Sequence, residues 1–149
     1  DYSFGTQIAE VEVDKETGEV KLLRMTVGHD VGLAINPMEV EGQTEGSISM
    51  GQGQVLYEEV ILEKGRVFNP SFLTYGLPTS METADIKSIL VESGDPEDPF
   101  APKEAGEGMQ VPTPAAIANA IYDAIGVRIK DLPITPEKIL KALEEKGGR

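Results

Sequence analysis

The sequence predicts an α+β domain in which a mixed sheet with hairpins packs against about three helices. Two segments, 8–13 and 20–27, alternate apolar and polar residues and are joined by a turn that contains glycine. Helix start signals and helical length mark three further segments, at 37–58, 114–125 and 136–146. Hairpin-linked strands together with separate amphipathic helices are typical of the α+β class.

The first hairpin is predicted from period-two alternation. Each strand carries apolar residues at every second position, which should bury one face: Ala9, Val11 and Val13 on the first strand, and Leu23, Met25 and Val27 on the second. The connector 14–19 forms the turn, and Gly18 is free to take a positive φ there.

Further along the chain the alternation of apolar and polar residues is weaker. A second hairpin joins 60–62 to 66–68 through a Lys-Gly turn, and 86–91 is a further strand. Segment 69–85 carries proline and glycine without a period, so we expect it to be irregular. Segment 93–100 holds three acidic residues and two prolines, and we expect it to be an exposed loop.

Each of the three helices is predicted to begin at a capping residue that is followed by proline. The second and third also end at glycine, which is the usual stop signal. The capping residues are Asn36, Thr113 and Thr135, and the terminating glycines are Gly126 and Gly147.

Composition limits the classes of function. A chain of 149 residues without an internal repeat is treated as one domain, 1–149. A net charge of -13 argues against nucleic acid and anionic membranes as partners, because both need a basic surface. No apolar run approaches the length of about 18 residues that would predict a membrane span.

The chain has no cysteine and a single histidine. Disulfides, thiolate metal sites and multi-histidine metal sites are therefore excluded within it, and we predict no metal ligand. The absence of cysteine also fits a cytoplasmic location. Because the sequence begins with Asp1 rather than methionine, we expect a fragment, a processed product or one piece of a larger polypeptide.

The first helix carries an unusual number of glycines. Four small residues fall in one stripe at helical spacing: Gly42, Gly46, Ser49 and Gly53. Such a stripe lets another backbone or a flat ligand lie against the helix, and the amides of Gln43 and Gln52 could hydrogen-bond the edge of a heterocycle. Close helix packing without a ligand explains the same stripe, so both interpretations stay open.

Glu107 stands between Gly106 and Gly108, just before a predicted helix. A carboxylate at such a position is a candidate catalytic base. The backbone can fix the place of the carboxylate there, and the helix N-terminus can set the electric field around it. A mobile surface loop that contains one more glutamate is the alternative. His29 ends a predicted strand, and we interpret it as structural because no nucleophile is signalled near it.

Several blocks of sequence together resemble the molybdenum-binding subunit of the xanthine dehydrogenase and aldehyde oxidase family. Their order and spacing agree with that family over nearly the whole chain. The blocks are VGHDVGLAINP at 27–37, VEGQTEG at 40–46, GQG at 51–53, NPSF at 69–72, YGLPT at 75–79 and KEAGE at 103–107. The resemblance implies that the fold is part of a molybdenum-cofactor-binding domain.

The resemblance also implies roles for single residues. Glu107 matches the glutamate beside the molybdenum, which acts as the catalytic base, and Gln43 matches a glutamine that hydrogen-bonds the pterin. Gly42, Lys103 and Gly106 are expected to contribute to cofactor binding as well. Lys103 and Gly106 are also expected to shape the loop that carries the base. Departures from the family pattern are found at Ala101, Pro102 and Glu104, and at Gly108-Met109 after the base.

The same resemblance implies the cofactor and the partners. In the full enzyme the cofactor would be a molybdenum-pterin, expected as the cytosine dinucleotide, and this chain alone should not hold it tightly. The expected partners are the remainder of the molybdenum subunit, iron–sulfur and FAD modules, and a small-molecule substrate. Isolated from them, the chain is expected to self-associate.

Two functions stay open at this point. The first is a fragment or split subunit of a molybdenum hydroxylase, which hydroxylates a purine, an N-heterocycle or an aldehyde with oxygen from water. The second is a module of the same origin that serves assembly or interaction without chemistry of its own.

Overall fold

The structure is a computed structural model, and it describes residues 2–94 and 100–147. Its elements are β1 (Gly5–Val13), β2 (Val20–Asp30), α1 (Pro37–Leu56), β3 (Leu62–Glu63), β4 (Arg66–Val67), α2 (Phe72–Tyr75), β5 (Asp85–Val91), α3 (Glu107–Gln110), α4 (Thr113–Ile125) and α5 (Pro136–Gly147). β2 lies between β1, which is antiparallel to it, and β5, which is parallel to it. The predicted α+β class with a mixed sheet is therefore confirmed.

The first hairpin forms as predicted, and Gly18 in its turn has a φ of +78°. One inward residue was predicted wrongly. The pairing register shifts between Glu10 and Val11, where β2 carries one extra residue, so the alternation of β2 changes phase. Leu23 is consequently 42% exposed, whereas Leu22 is buried together with Met25.

The second hairpin is also present, but its strands β3 and β4 are only two residues each. Lys64 and Gly65 both have positive φ, which is the type I′ geometry that matches strand twist in a two-residue turn. The segment expected to be irregular contains the one-turn helix α2, which Ser71 and Thr74 close with a capping box. β5 confirms the further strand. Of the expected loop 93–100, residues 95–99 lie outside the described residues.

The three predicted helices are α1, α4 and α5, and α2 and α3 add one turn each in the described ranges. Asn36 caps α1 by accepting the N–H of Glu39, as predicted. Thr113 is not the cap of α4, because Pro112 occupies that position. The Thr113 side chain instead points into the core and donates to Gln7 on β1.

One hydrophobic core lies between the sheet and the three longer helices. Its buried members come from β2, α1, α4, α5 and the segment that enters α5: Val20, Leu22, Met25, Val27, Ile48, Val55, Leu56, Ile117, Ile121, Ile125, Ile134 and Ile139. The predicted inward residues of β1 are partly buried against this cluster. The core holds β2 and α1 in place. The candidate site lies between the carboxyl end of β2 and α1.

None of the helices in the described part of the chain is long and apolar enough to cross a membrane. The described residues also contain no group of three or more His, Asp or Glu side chains that could hold a metal ion.

Candidate active site

The segment that leads to Glu107 crosses the carboxyl end of β2. Lys103 donates its backbone N–H to the carbonyl of Val31 at 2.8 Å, and Pro102 pairs with Gly32 as an isolated bridge. Gly32 has a φ of +67°, and a Cβ there would lie 2.1 Å from the carbonyl oxygen of Ala101. Glycine is thus required for the crossing, and Ala101 and Pro102 take part in it.

A buried ion pair fixes this crossing. Lys103 Nζ lies 2.6 Å from Asp30 Oδ2, and both side chains are largely buried. Asp30 also accepts the backbone N–H groups of Gly32 and Ser93. The hydrogen bond from Lys103 is the main reason why the pKa of Asp30 lies well below its usual range. Lys103 therefore shapes the loop, as expected, while its contact with a cofactor stays a prediction.

Glu104 closes the turn that follows. Its Oε1 accepts the backbone N–H of Gly106 at 2.5 Å and that of Gly108 at 3.0 Å. The sequence marked Glu104 only as a departure from a family pattern. In the structure it satisfies two N–H groups at the start of α3 that would otherwise lack a partner in the helix.

His29 holds the same turn from the sheet. Its side chain is buried, and Nε2 lies 3.1 Å from the carbonyl oxygen of Glu104 and 3.1 Å from Ser3 Oγ. Because a carbonyl oxygen only accepts, Nε2 carries a proton and donates it. The predicted structural role of His29 agrees with these contacts.

Glu107 is the first residue of α3 and is exposed. It was expected in a loop before the helix, so its place at the start of a helical turn is a correction. The turn is anchored two residues later by Met109, which is fully buried and whose Sδ accepts from the hydroxyl of Thr44 at 3.1 Å. The amide of Gln7 donates to the Met109 carbonyl oxygen. The chain is therefore held on both sides of Glu107.

An open cleft of about 380 Å³ lies between α1 and the crossing segment. It is lined by Val31, Leu33, Ala34, Ile35, Asn36, Glu39, Val40, Gln43, Pro102, Lys103 and Ala105. Ser47 on α1 donates to the carbonyl of Gly106 at 2.9 Å, and Gln43 Oε1 lies 3.9 Å from where a Cβ on Gly106 would be. The structure thus brings Gln43, Lys103 and Gly106 together, while Gly42 lies beside the cleft rather than in its lining.

The stripe of small residues divides into two parts. A Cβ on Gly42 or Gly46 would meet nothing within 4 Å, whereas one on Gly53 would meet the Glu58 side chain at 2.0 Å. Close packing therefore explains Gly53 but not the first half of the stripe, which is open in this chain. Of the two interpretations left open by the sequence, close packing within this chain thus applies to Gly53, and the stretch at Gly42 and Gly46 is free for another backbone or a flat ligand.

Gln52 is not available to a ligand, in contrast to the sequence-based expectation. It is buried, its Nε2 donates to the Glu82 carbonyl at 2.6 Å, and its Oε1 accepts from Ala84 at 3.2 Å. Its amide fixes the segment that enters β5. Gln43 differs, because it is exposed and its side chain has no hydrogen-bond partner within 2–94 and 100–147.

Residues 1–84 match the family model of the molybdopterin cofactor-binding domain. The chain belongs to this family. It is 38% identical over 145 residues to a subunit of the nicotinate dehydrogenase of Pseudomonas putida, covering 97% of this chain and 12% of that protein. It is 35% identical over 147 residues to the putative xanthine dehydrogenase molybdenum-binding subunit XdhA of Escherichia coli, covering 97% of this chain and 20% of that protein.

Solved structures agree with the fold of this molybdopterin cofactor-binding domain. Quinoline 2-oxidoreductase from Pseudomonas putida 86 superposes with a TM-score of 0.84 at 36% identity, over 91% of this chain and 18% of that one. Aldehyde oxidoreductase from Desulfovibrio gigas gives a TM-score of 0.86 at 33% identity, over 95% and 15%. The chain spans a fifth or less of the length of these relatives, and the resemblance seen in the sequence is confirmed.

The residues present fit a pterin-type group. Gly42 and Gly46 leave open space along α1, where a flat ring could approach the helix backbone. The unpartnered Gln43 amide offers a donor and an acceptor at the same place. The charged residues in the cleft lining are Glu39 and Lys103, and a hydrogen bond from the neutral amide to a pterin ring needs neither of them.

Four residues that shape this molybdopterin cofactor-binding domain were not found from the sequence as site residues: Asp30, Ser47, Glu104 and Met109. Glu104 had a detectable signal, because a carboxylate two residues before a glycine can close a turn by accepting its N–H. Asp30 and Lys103 are far apart in the sequence, and their contact follows from the pairing of residues 31–33 with residues 101–103, which no local pattern indicates.

Proposed function

We propose that this chain is the C-terminal part of a molybdenum hydroxylase subunit, with Glu107 as its catalytic base. The complete enzyme would hydroxylate a carbon of an N-heterocycle, a purine or an aldehyde with oxygen from water. Relatives named for nicotinate, xanthine, quinoline and aldehyde support this class of substrate. The observation that carries the proposal is an exposed Glu107 on an anchored turn, two residues beyond Ala105, which lines the same cleft as Gln43.

When bound, the molybdenum-pterin cofactor supplies the redox chemistry, since it takes up the electron pair released when the substrate carbon is hydroxylated. The form with a cytosine dinucleotide is part of the proposal. On this chain, the Gln43 amide would hydrogen-bond the edge of the pterin, and Gly42 would let the ring come close to α1.

Glu107 would take the proton from the oxygen nucleophile. In the chain alone its carboxylate is exposed to water. The remaining walls of the site would exclude bulk water around this carboxylate and hold it toward the proton that it takes up. Lys103 and Gly106 would serve as the fixed frame of the turn, through the Asp30 ion pair and the Ser47 hydrogen bond.

The partners in this proposal are the remainder of the molybdenum subunit and iron–sulfur and FAD modules, which would carry the electrons away. Apolar side chains exposed on the second hairpin and on α2 support a covered surface there: Val60, Leu62, Phe68, Phe72 and Leu73. The net charge of -13 does not favour nucleic acid. A cytoplasmic location remains part of the proposal.

The test is to assemble the chain with the rest of its subunit and its electron-transfer partners. We expect the complex to contain molybdenum and to hydroxylate xanthine, nicotinate or an aromatic aldehyde, with ¹⁸O from labelled water in the product. The matched control is the same preparation without this chain. A complex that assembles correctly but never acquires molybdenum would instead support a non-catalytic assembly module.

A further inference from the structure

We propose that Glu104 is a positioning residue, which sets the orientation of Glu107 by holding the backbone N–H groups on both sides of it. The inference rests on the proposed function of Glu107 as the base. Glu104 itself would touch neither substrate nor cofactor in this account. Its role is to fix the peptide units from which the Glu107 side chain projects.

The contacts of the carboxylate carry this inference. Oε1 of Glu104 accepts from Gly106 and from Gly108, which are the residues before and after Glu107. A Cβ on Gly108 would lie 2.0 Å from Oε2, so the carboxylate fills the space beside that glycine. The Glu104 side chain therefore holds the backbone on both sides of Glu107.

Glu104 is itself held in place by the sheet. His29 Nε2 donates to its carbonyl oxygen at 3.1 Å and lies 3.5 Å from its Oε2. The preceding residue, Lys103, is tied to Asp30. The Glu104 carboxylate thus fixes the turn that bears Glu107 relative to the carboxyl end of β2.

The remaining contacts of the turn do not replace this bridge. Ser47 binds the carbonyl of Gly106, and Gln7 and Thr44 bind Met109, but none of these contacts involves the N–H groups beside Glu107. Loss of Glu104 should leave the anchored ends in place and free the peptide units between them. A misplacement of about 1 Å at a reacting group can cost about 10²-fold in rate.

The experiment uses the assembled enzyme and compares Glu104→Ala with Glu104→Gln. We expect Glu104→Ala to lower kcat by about 10- to 100-fold while molybdenum content stays unchanged and KM changes by less than about twofold. Glu104→Gln keeps an acceptor oxygen at the same place and should recover most of the rate. Glu144→Ala, at an exposed position of α5, is the matched control.

Two further readouts separate positioning from general stability. Amide hydrogen exchange in a peptide spanning 104–110 should rise in Glu104→Ala and return in Glu104→Gln, while peptides of α4 stay protected. In a Glu107→Gln background, Glu104→Ala should cause no further loss of kcat, because a residue that acts through Glu107 has nothing left to orient.

The outcomes also separate this inference from the proposed function. If Glu107→Gln retains full turnover, the proposed function fails. If Glu107→Gln is inactive but Glu104→Ala keeps normal kcat and normal exchange, only the positioning role is overturned. A Glu104→Gln variant as slow as Glu104→Ala would overturn it as well, since the hydrogen bonds would then not be what matters.

Discussion

Lys103 Nζ and Asp30 Oδ2 lie 2.6 Å apart, and this ion pair joins the carboxyl end of β2 to the segment that carries Glu107. The two residues are separated by 73 positions in the sequence. Because both side chains are largely buried, removal of one partner leaves the other charge without compensation. The geometry of the candidate base is therefore linked to the carboxyl end of the central strand by charge as well as by backbone pairing.

The first prediction concerns this pair and its pH dependence. Asp30→Asn should lower the thermal unfolding midpoint at pH 7, because Lys103 loses its counter-charge. The folded pKa of Asp30 lies below the unfolded value of about 3.9, so the pair stabilises fully above about pH 4 and its contribution falls as pH drops further. The difference between wild type and variant should thus shrink below pH 4.

Unfolding curves at several pH values check this prediction. Asp123→Asn, at an exposed position of α4, is the control and should leave the midpoint nearly unchanged. A gap between wild type and Asp30→Asn that stays constant down to pH 2 would show that the ion pair does not contribute as described.

A second prediction uses the space beside Gly108. In Gly108→Ala, the new Cβ would displace the Glu104 carboxylate, because Oε2 stands 2.0 Å from that position. We expect the variant to fold and to show the lowered kcat predicted for Glu104→Ala. Gly42→Ala adds a methyl group where nothing lies within 4 Å, so in the apo chain it should be neutral or slightly stabilising. Equal kcat in Gly108→Ala and wild type would contradict the displacement.

A third prediction concerns the open face of α1. Gly46→Leu should stabilise the apo chain by up to about 1 kcal/mol, because leucine is the better helix former and its Cβ meets no atom within 4 Å. In the assembled enzyme the same variant should lose molybdenum, since the leucine would fill the space proposed for the pterin. Chemical denaturation and metal analysis measure the two effects. Gln54→Leu, exposed near the end of α1, should retain the metal; a fully loaded Gly46→Leu enzyme would be evidence against the proposed cofactor face.

A fourth prediction concerns the exposed apolar side chains of α2 and the second hairpin. Leu73 is 92% exposed and Phe72 is 78% exposed, which is unusual for residues of this size. The isolated chain should therefore self-associate in sedimentation at high concentration. Substitution of both residues by lysine should shift it toward the monomer, whereas lysine at the exposed polar Gln54 should not. Monomeric wild-type chain at high concentration would contradict the prediction.

Most of the fold could be predicted from local pattern. The Gly18 turn, the Asn36 cap and the three longer helices follow from short-range sequence signals that the structure confirms. Leu23 was misplaced because a bulge changes the phase of alternation without any residue type that marks it. The pattern of Thr113-Pro114 was typical of a helix start. Between α3 and α4, however, Val111 and Pro112 keep helical backbone angles, so α4 starts one residue earlier without a side-chain cap.

The site was predictable only in part. Gln43 and Lys103 do line one cleft, and Gly106 lies close to Gln43. Sequence spacing did not show that Gln52 is buried and satisfied by Glu82 and Ala84. Whether an amide faces a ligand or fixes a loop depends on which turn of the helix meets the core. Tertiary packing decides this, whereas the sequence pattern around Gln43 is the same as that around Gln52: each lies beside a glycine on one helix.

The central claim is that Glu107 is the base, and Glu107→Gln in the assembled enzyme tests it most directly. The amide keeps the shape of the side chain but cannot accept the proton at neutral pH, and positioned bases supply about 10²–10⁴-fold in rate. We predict that kcat falls by at least about 10²-fold while molybdenum content and the unfolding midpoint stay near wild type. Wild-type kcat in a fully loaded Glu107→Gln enzyme would contradict the account.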